Sequence, residues 1–222
     1  MGAPALLAHD GVSTRASTRA LLVGGALVVI WPILLSHFGG GDVYALLGPF
    51  ALFVIGAVLL VGRREPILPR TGRLLARDLG VGLGVGVVMT VGTYAFFALG
   101  ERLWPPLAGH VGGLYRDAHK ENLVFAMLAT VAAVVAEEVL WRGPLLGILK
   151  RRIGLRGAAA ISLVTYVLAC STSRSVIVVV SALVCGAFWL VERVATRSIV
   201  APLVSHLMWT MVVVHLLPVT RV

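Results

Sequence analysis

Charge is what this chain has least of. Only 13% of its 222 residues are Asp, Glu, Lys or Arg, while 59% are hydrophobic. Soluble domains carry about a quarter charged residues, so a water-soluble globular fold is excluded and an integral membrane protein is indicated. Acidic residues are scarcer than basic ones, 10 against 19, giving a formal net charge of +9. The basic residues, nearly all Arg, lie between apolar segments, where they orient a membrane protein; a nucleic-acid partner is not expected. Cysteine is also scarce: Cys170 and Cys185 both fall inside apolar segments. That placement argues against a structural disulfide, and no zinc-type cysteine spacing exists. The hydrophobic stretch after Arg15 and Arg19 is long and lacks a small-residue cleavage site, so it reads as a retained span. No C-terminal prenylation signal is present.

What the chain has in quantity is apolar runs. Its length allows about seven spans of ~20 residues, the number needed to cross a ~30 Å hydrocarbon core. The expected architecture is therefore all-α, a polytopic membrane helix bundle of about seven transmembrane helices. A short polar tail (1–18) precedes a single transmembrane domain (19–222). Spans are expected at 20–36, 43–61, 79–99, from Asn122 into a glutamate motif, at 158–170, 176–191 and 199–217. A Gly39-Gly40-Gly41-Asp42 turn joins the first two. A polar loop with Pro105, Pro106, His110 and His119 leads to Asn122, and a basic loop holds Lys150, Arg151, Arg152 and Arg156. With the N-terminus in the cytoplasm, the clusters at 15–19, 63–77, 150–156 and 193–197 all fall on the cytoplasmic side. The outer side then keeps Arg102, Arg116, Lys120, Arg174 and Arg221.

Glycines at 80, 82, 84 and 86 superficially offer the G-x-G pattern of a nucleotide loop. No strand precedes them and no acidic partner follows, whereas the pairs Gly80/Gly84 and Gly82/Gly86 suit close helix packing in lipid. His110 and His119 have no acidic or cysteine partner at a metal-binding spacing and read as ordinary loop residues.

The sequence Ala136-Glu137-Glu138-Val139-Leu140-Trp141-Arg142-Gly143 stands apart, because charges inside a bilayer are costly and ordinarily face a protein interior or a wet cavity. Glu138 and Arg142 are four apart, so they meet on one helix face, while Glu137 is rotated by about 100°. Pairing keeps Glu138 ionised and positioned; Glu137, beside it in a low-dielectric pocket, suits a general base that takes a proton from water. The alternative is a buried structural ion network without chemistry. Depth brings in a partner. Glu137 lies roughly 22 Å along its helix from Asn122, and His206 about 12 Å along the returning helix from Ser198. At a ~30 Å thickness both sit at similar depth in the cytoplasmic half, so His206 can face Glu137. Thr210, one turn further, shares that face and can donate a hydrogen bond.

These residues resemble the CPBP intramembrane protease family, the CAAX protease and bacteriocin-processing or Abi group. The likeness rests on Glu137-Glu138-x-x-x-Arg142, on Tyr166-Val167-Leu168-Ala169-Cys170 as an aromatic-led second box, and on a third box. That third box is approached through Gly186-Ala187-Phe188 to Arg193 and through 198–205, and reads His206-Leu207-Met208-Trp209-Thr210. It covers a core of about 122–214. The resemblance implies an intramembrane endopeptidase in which Glu137 activates water, Glu138 and Arg142 order the site, and His206 helps stabilise the oxyanion. It implies no cofactor and no obligatory metal, a bilayer setting such as the bacterial inner membrane, and a protein or peptide substrate with a membrane-associated segment. Two positions depart from the pattern: Cys170 stands where the family has histidine, and Thr210 where it has asparagine. Thr can still donate; Cys is no imidazole base. Cys170 is therefore a tolerated substitution, a thiolate nucleophile or metal ligand with His206 and a glutamate, or the mark of a non-catalytic member. As a plain buried residue it would be a small hydrophobe. The rival functions are a catalytically inactive scaffold for membrane proteins and a small transporter using the same polar residues as an ion path. No hydropathy symmetry between the halves supports the transporter.

Overall fold

The computed structural model describes residues 43–61, 72–119 and 122–220, with a few positions between 25 and 33. The expected tail, most of the first span, the glycine turn and residues 63–70 of the basic cluster lie outside the described residues. Within them the chain is helical without a strand. Seven α-helices follow in order: α1 (Val43–Val61), α2 (Arg73–Leu103), α3 (Pro106–Ala118), α4 (Leu123–Glu137), α5 (Pro144–Ser171), α6 (Val176–Thr196) and α7 (Val200–Thr210). One π-helical turn, Glu138–Arg142, joins α4 to α5, and another, Met211–Leu216, follows α7. By length and composition Arg73–Leu103, Leu123–Ser171 and Val176–Thr196 can cross a membrane; Leu47–Val58 and Val200–Leu216 are shorter apolar helices.

Polarity is distributed inside out, as lipid requires. Val88, Phe96 and Val176 are 62%, 69% and 77% exposed, whereas Asp78, Glu138, Arg142 and Glu192 are at most 4% exposed. Apolar side chains turned outward meet acyl chains at no cost, and the charges are kept inside among partners. This is a helical membrane bundle.

The starts of the elements are written locally. Asn122 caps α4, its Oδ1 accepting from Val124 N at 3.0 Å and Phe125 N at 3.3 Å. Ser175 does the same for α6 through Val178 N. Two segments differ from the expected loops. The stretch after Pro105 and Pro106 is helix α3, because a proline in the first turn leaves no needed N–H unsatisfied and Leu107, Val111 and Tyr115 then repeat on one face packed toward Phe97. The basic residues Lys150, Arg151 and Arg152 belong to the first part of α5, which breaks at Gly154 (φ 77°) before resuming through Arg156.

α2 lies against α7, and small residues make this possible. A Cβ on Gly82 would stand 2.5 Å from Ala201 O and 2.8 Å from Val204 Cβ; one on Gly86 would stand 2.9 Å from Met208 Sδ. Gly82/Gly86 is thus the packing pair, while Gly80 and Gly84 face open space with nothing within 4 Å. Only one of the two expected glycine stripes is used, since a helix presents one face to one neighbour. Higher up, Trp209 Nε1 donates to Thr93 Oγ1 at 2.9 Å, tying the same two helices. Gly82→Val is expected to lower stability in detergent micelles by about 1–3 kcal/mol or more, the cost of overpacking against backbone, whereas Gly84→Ala leaves the thermal midpoint unchanged or slightly raised. Equal loss in the two variants would refute this packing assignment.

Candidate active site

The glutamate motif does not continue as α-helix. Pro144 has no N–H to offer Leu140 O and its ring crowds that carbonyl, so the preceding turn widens into the π-helical Glu138–Arg142 segment. Gly143 closes it at φ −84°, ψ −128°, where a Cβ would lie 2.2 Å from Val139 O. Only glycine fits that approach.

Within this turn Glu138 and Arg142 still meet: Arg142 Nη1 donates to Glu138 Oε1 at 3.2 Å, with side chains 1% and 0% exposed. The same Oε1 receives His206 Nδ1 from α7 at 2.9 Å. Glu138 thus binds two donors from two elements. Arg142 is fixed further by Nη2 donating to Gly186 O at 3.4 Å and by its guanidinium lying 4.4 Å from the Tyr166 ring centre and 5.6 Å from that of Trp189. Stacking of cationic guanidinium on aromatic faces replaces part of its lost hydration. Arg193 Nε donates to Arg142 O at 2.7 Å, tying the turn to α6.

Glu137 points the other way. Its carboxylate reaches a cavity of about 590 Å³, where Oε2 accepts from Tyr166 Oη at 3.3 Å and lies 3.9 Å from His206 Nε2. The two glutamates therefore face different surroundings, Glu138 inside the protein and Glu137 at the cavity wall. His206 bridges them. Its ring stacks on Trp189 with centroids 3.5 Å apart and an 18° tilt. Because Glu138 as a carboxylate only accepts, Nδ1 carries the hydrogen, and Nε2 toward Glu137 is a lone pair in the neutral ring or an N–H in the imidazolium.

The other expected residues also line this cavity. Cys170 and Thr210 stand on its wall with Thr130, Trp189 and Trp209; Thr210 Oγ1 is buried and has no hydrogen-bond partner among the described residues. Both cysteines are free thiols, and Cys185 sits apart in the apolar core. Among the described residues no three His, Cys, Asp or Glu side chains converge as a metal centre needs, so the metal-ligand reading of Cys170 has no geometry behind it. His110 and His119 lie away from this centre: His110 Nδ1 contacts Pro106 O within α3, and His119 stacks near Tyr115 and His215.

Three contributors were not singled out from sequence. Tyr166 heads the second box but drew no role there. Trp189 lies within the approach to the third box, where its contact with His206 depends on two helices meeting. Glu192 is buried on α6 and accepts Ser205 Oγ from α7 at 2.5 Å, beside the histidine. For Tyr166 the signal was present, an aromatic with a hydroxyl one turn before Cys170; for the other two it was not.

Residues 119–212 match the family described as type II CAAX prenyl endopeptidase Rce1-like. This span carries all three boxes and bears out the resemblance to the CPBP and CAAX proteases. No curated protein and no solved structure matches the chain.

The two glutamates should separate in stability measurements. Arg142→Ala leaves Glu138 buried with one donor fewer and is expected to cost about 3–5 kcal/mol, as breaking buried pairs does. Glu137→Gln, at a partly open wall, should change stability by under about 1 kcal/mol. Chemical denaturation in micelles followed by tryptophan fluorescence reads both; a small Arg142→Ala effect would contradict the role of the pair.

Proposed function

We propose, on the premise that this chain belongs to the CPBP group of CAAX-type proteases, that it is a glutamate-type intramembrane endopeptidase. The observation that carries this reading is the different placement of the glutamates: Glu138 Oε1 is held by Arg142 and His206, while Glu137 stands at the wall of the cavity with no Arg hydrogen bond among the described residues.

The reaction follows from that placement. A water held by Glu137 attacks the carbonyl carbon of a peptide bond as its proton passes to the Glu137 carboxylate. The negative charge developing on the carbonyl oxygen is met by donors on α7, Nε2–H of the His206 imidazolium and Thr210 Oγ1–H. Collapse of the tetrahedral intermediate breaks the C–N bond, and the proton on Glu137 moves to the leaving amine. One water is consumed; one carboxylate and one amine are formed. Glu138 and Arg142 take no proton and keep the His206 ring in place.

The substrate is a protein or peptide with a membrane-associated segment. The cavity wall is largely apolar, with Phe96, Phe97, Val111 and Ile177 among its residues, which suits a chain drawn from lipid rather than a soluble polar one. The arginine distribution supports an N-terminus in the cytoplasm and a site in the cytoplasmic half of the bilayer. One observation favours a second reading, a scaffold that binds a transmembrane partner without cutting it: Cys170 occupies the wall where an imidazole base would stand.

Terminal proteomics of cells with wild-type, Glu137→Ala and Cys170→Ser proteins at equal expression separates these readings. New protein termini are expected with wild type, lost with Glu137→Ala and retained with Cys170→Ser, since the thiol is not the nucleophile. Identical termini in all strains, with partner binding that persists in Glu137→Ala, would establish the scaffold instead. Loss with Cys170→Ser would bring the thiol into the mechanism.

A further inference from the structure

Tyr166 places its hydroxyl on the working face of Glu137. The residue is 5% exposed, and its Oη donates to Glu137 Oε2 at 3.3 Å, the same oxygen that lies 3.9 Å from His206 Nε2. One turn further along α5, Cys170 lines the same cavity but offers only a weak S–H donor. A phenylalanine would pack as well: the ring already touches Trp141 and Trp189 edge-on and receives the Arg142 guanidinium on its face. Packing therefore accounts for the ring and leaves the hydroxyl to its polar neighbours, the Glu137 carboxylate and the Cys170 thiol.

We infer that Tyr166 is the positioning residue of Glu137, its neutral O–H fixing the carboxylate toward the cavity on the side where α5 presents no imidazole. This rests on the protease reading above. In that reaction Tyr166 keeps its proton throughout. Its hydrogen bond to one carboxylate oxygen limits rotation of the group and leaves the remaining acceptor sites to hold the water, while the proton from water still goes to Glu137 and then to the amine. A neutral donor suits this position, because it orients the carboxylate without adding a further charge to the site.

The test uses the full chain in micelles and in cells. Infrared difference spectra identify the Glu137 carboxylate band by its loss in Glu137→Ala. In Tyr166→Phe that band is expected to shift, with the thermal midpoint preserved. The rate at which Glu137-dependent termini form is expected to fall about 10- to 100-fold in Tyr166→Phe, the worth of one hydrogen bond to a charged group expressed as a rate. Adding Cys170→His to Tyr166→Phe should recover part of that rate, because an imidazole one turn away on the same wall supplies a new N–H donor. An unshifted band, or a wild-type rate in Tyr166→Phe, would overturn the inference while leaving Glu137 dependence intact. Absence of any Glu137-dependent termini would instead overturn the protease reading, and the infrared band would still decide the hydrogen bond.

Discussion

The buried contact of Glu138 with Arg142 and His206 is the constraint on which the rest of this structure depends. A lone carboxylate or guanidinium in a bilayer protein is costly, and each is tolerated because the other is within hydrogen-bond reach. Satisfying them draws together the turn after α4, the middle of α7 through His206, and α6 through Gly186 and Arg193. The aromatic residues around them, Tyr166 and Trp189, complete the shell that replaces water. Beside this knot, the adjacent Glu137 stands at the cavity wall.

Both π-helical turns lie next to this knot. The first holds Glu138 and Arg142, and the second begins immediately after Thr210. Widened turns cost helix regularity and occur mostly where a site needs side chains at angles an α-helix cannot present. Here the first has a local cause in Pro144 and Gly143. The packing of α2 on α7 through Gly82 and Gly86 holds the opposite side of α7, so that His206 is pinned between a close helix contact and a carboxylate.

The departure at Cys170 acquires a physical context from Tyr166. The two are one turn apart and share the cavity wall, so α5 reaches Glu137 through a phenol rather than an imidazole. The cavity wall combines Glu137, Thr130, Cys170 and Thr210 with apolar residues such as Phe96 and Ile177.

Much of this was legible in the residues themselves. Apolar runs separated by arginines determine a helical membrane bundle, because backbone in lipid has almost no other way to satisfy its hydrogen bonds. The ends of α1, α4 and α6 follow from hydropathy, an asparagine cap and a serine cap, and the similar depth of Glu137 and His206 follows from helical rise. The three boxes carry the family likeness. Tertiary structure decided what periodicity cannot express. Which glycine pair packs depends on which face α7 covers; whether Pro105 and Pro106 break or begin a helix depends on Phe97 being there to receive the new face; whether Tyr166 or Cys170 reaches Glu137 depends on where α5 crosses α4. Local sequence specifies the angle and rise of each side chain along its own helix, whereas contact between helices depends on their crossing and offset, and those are settled only when the helices pack together.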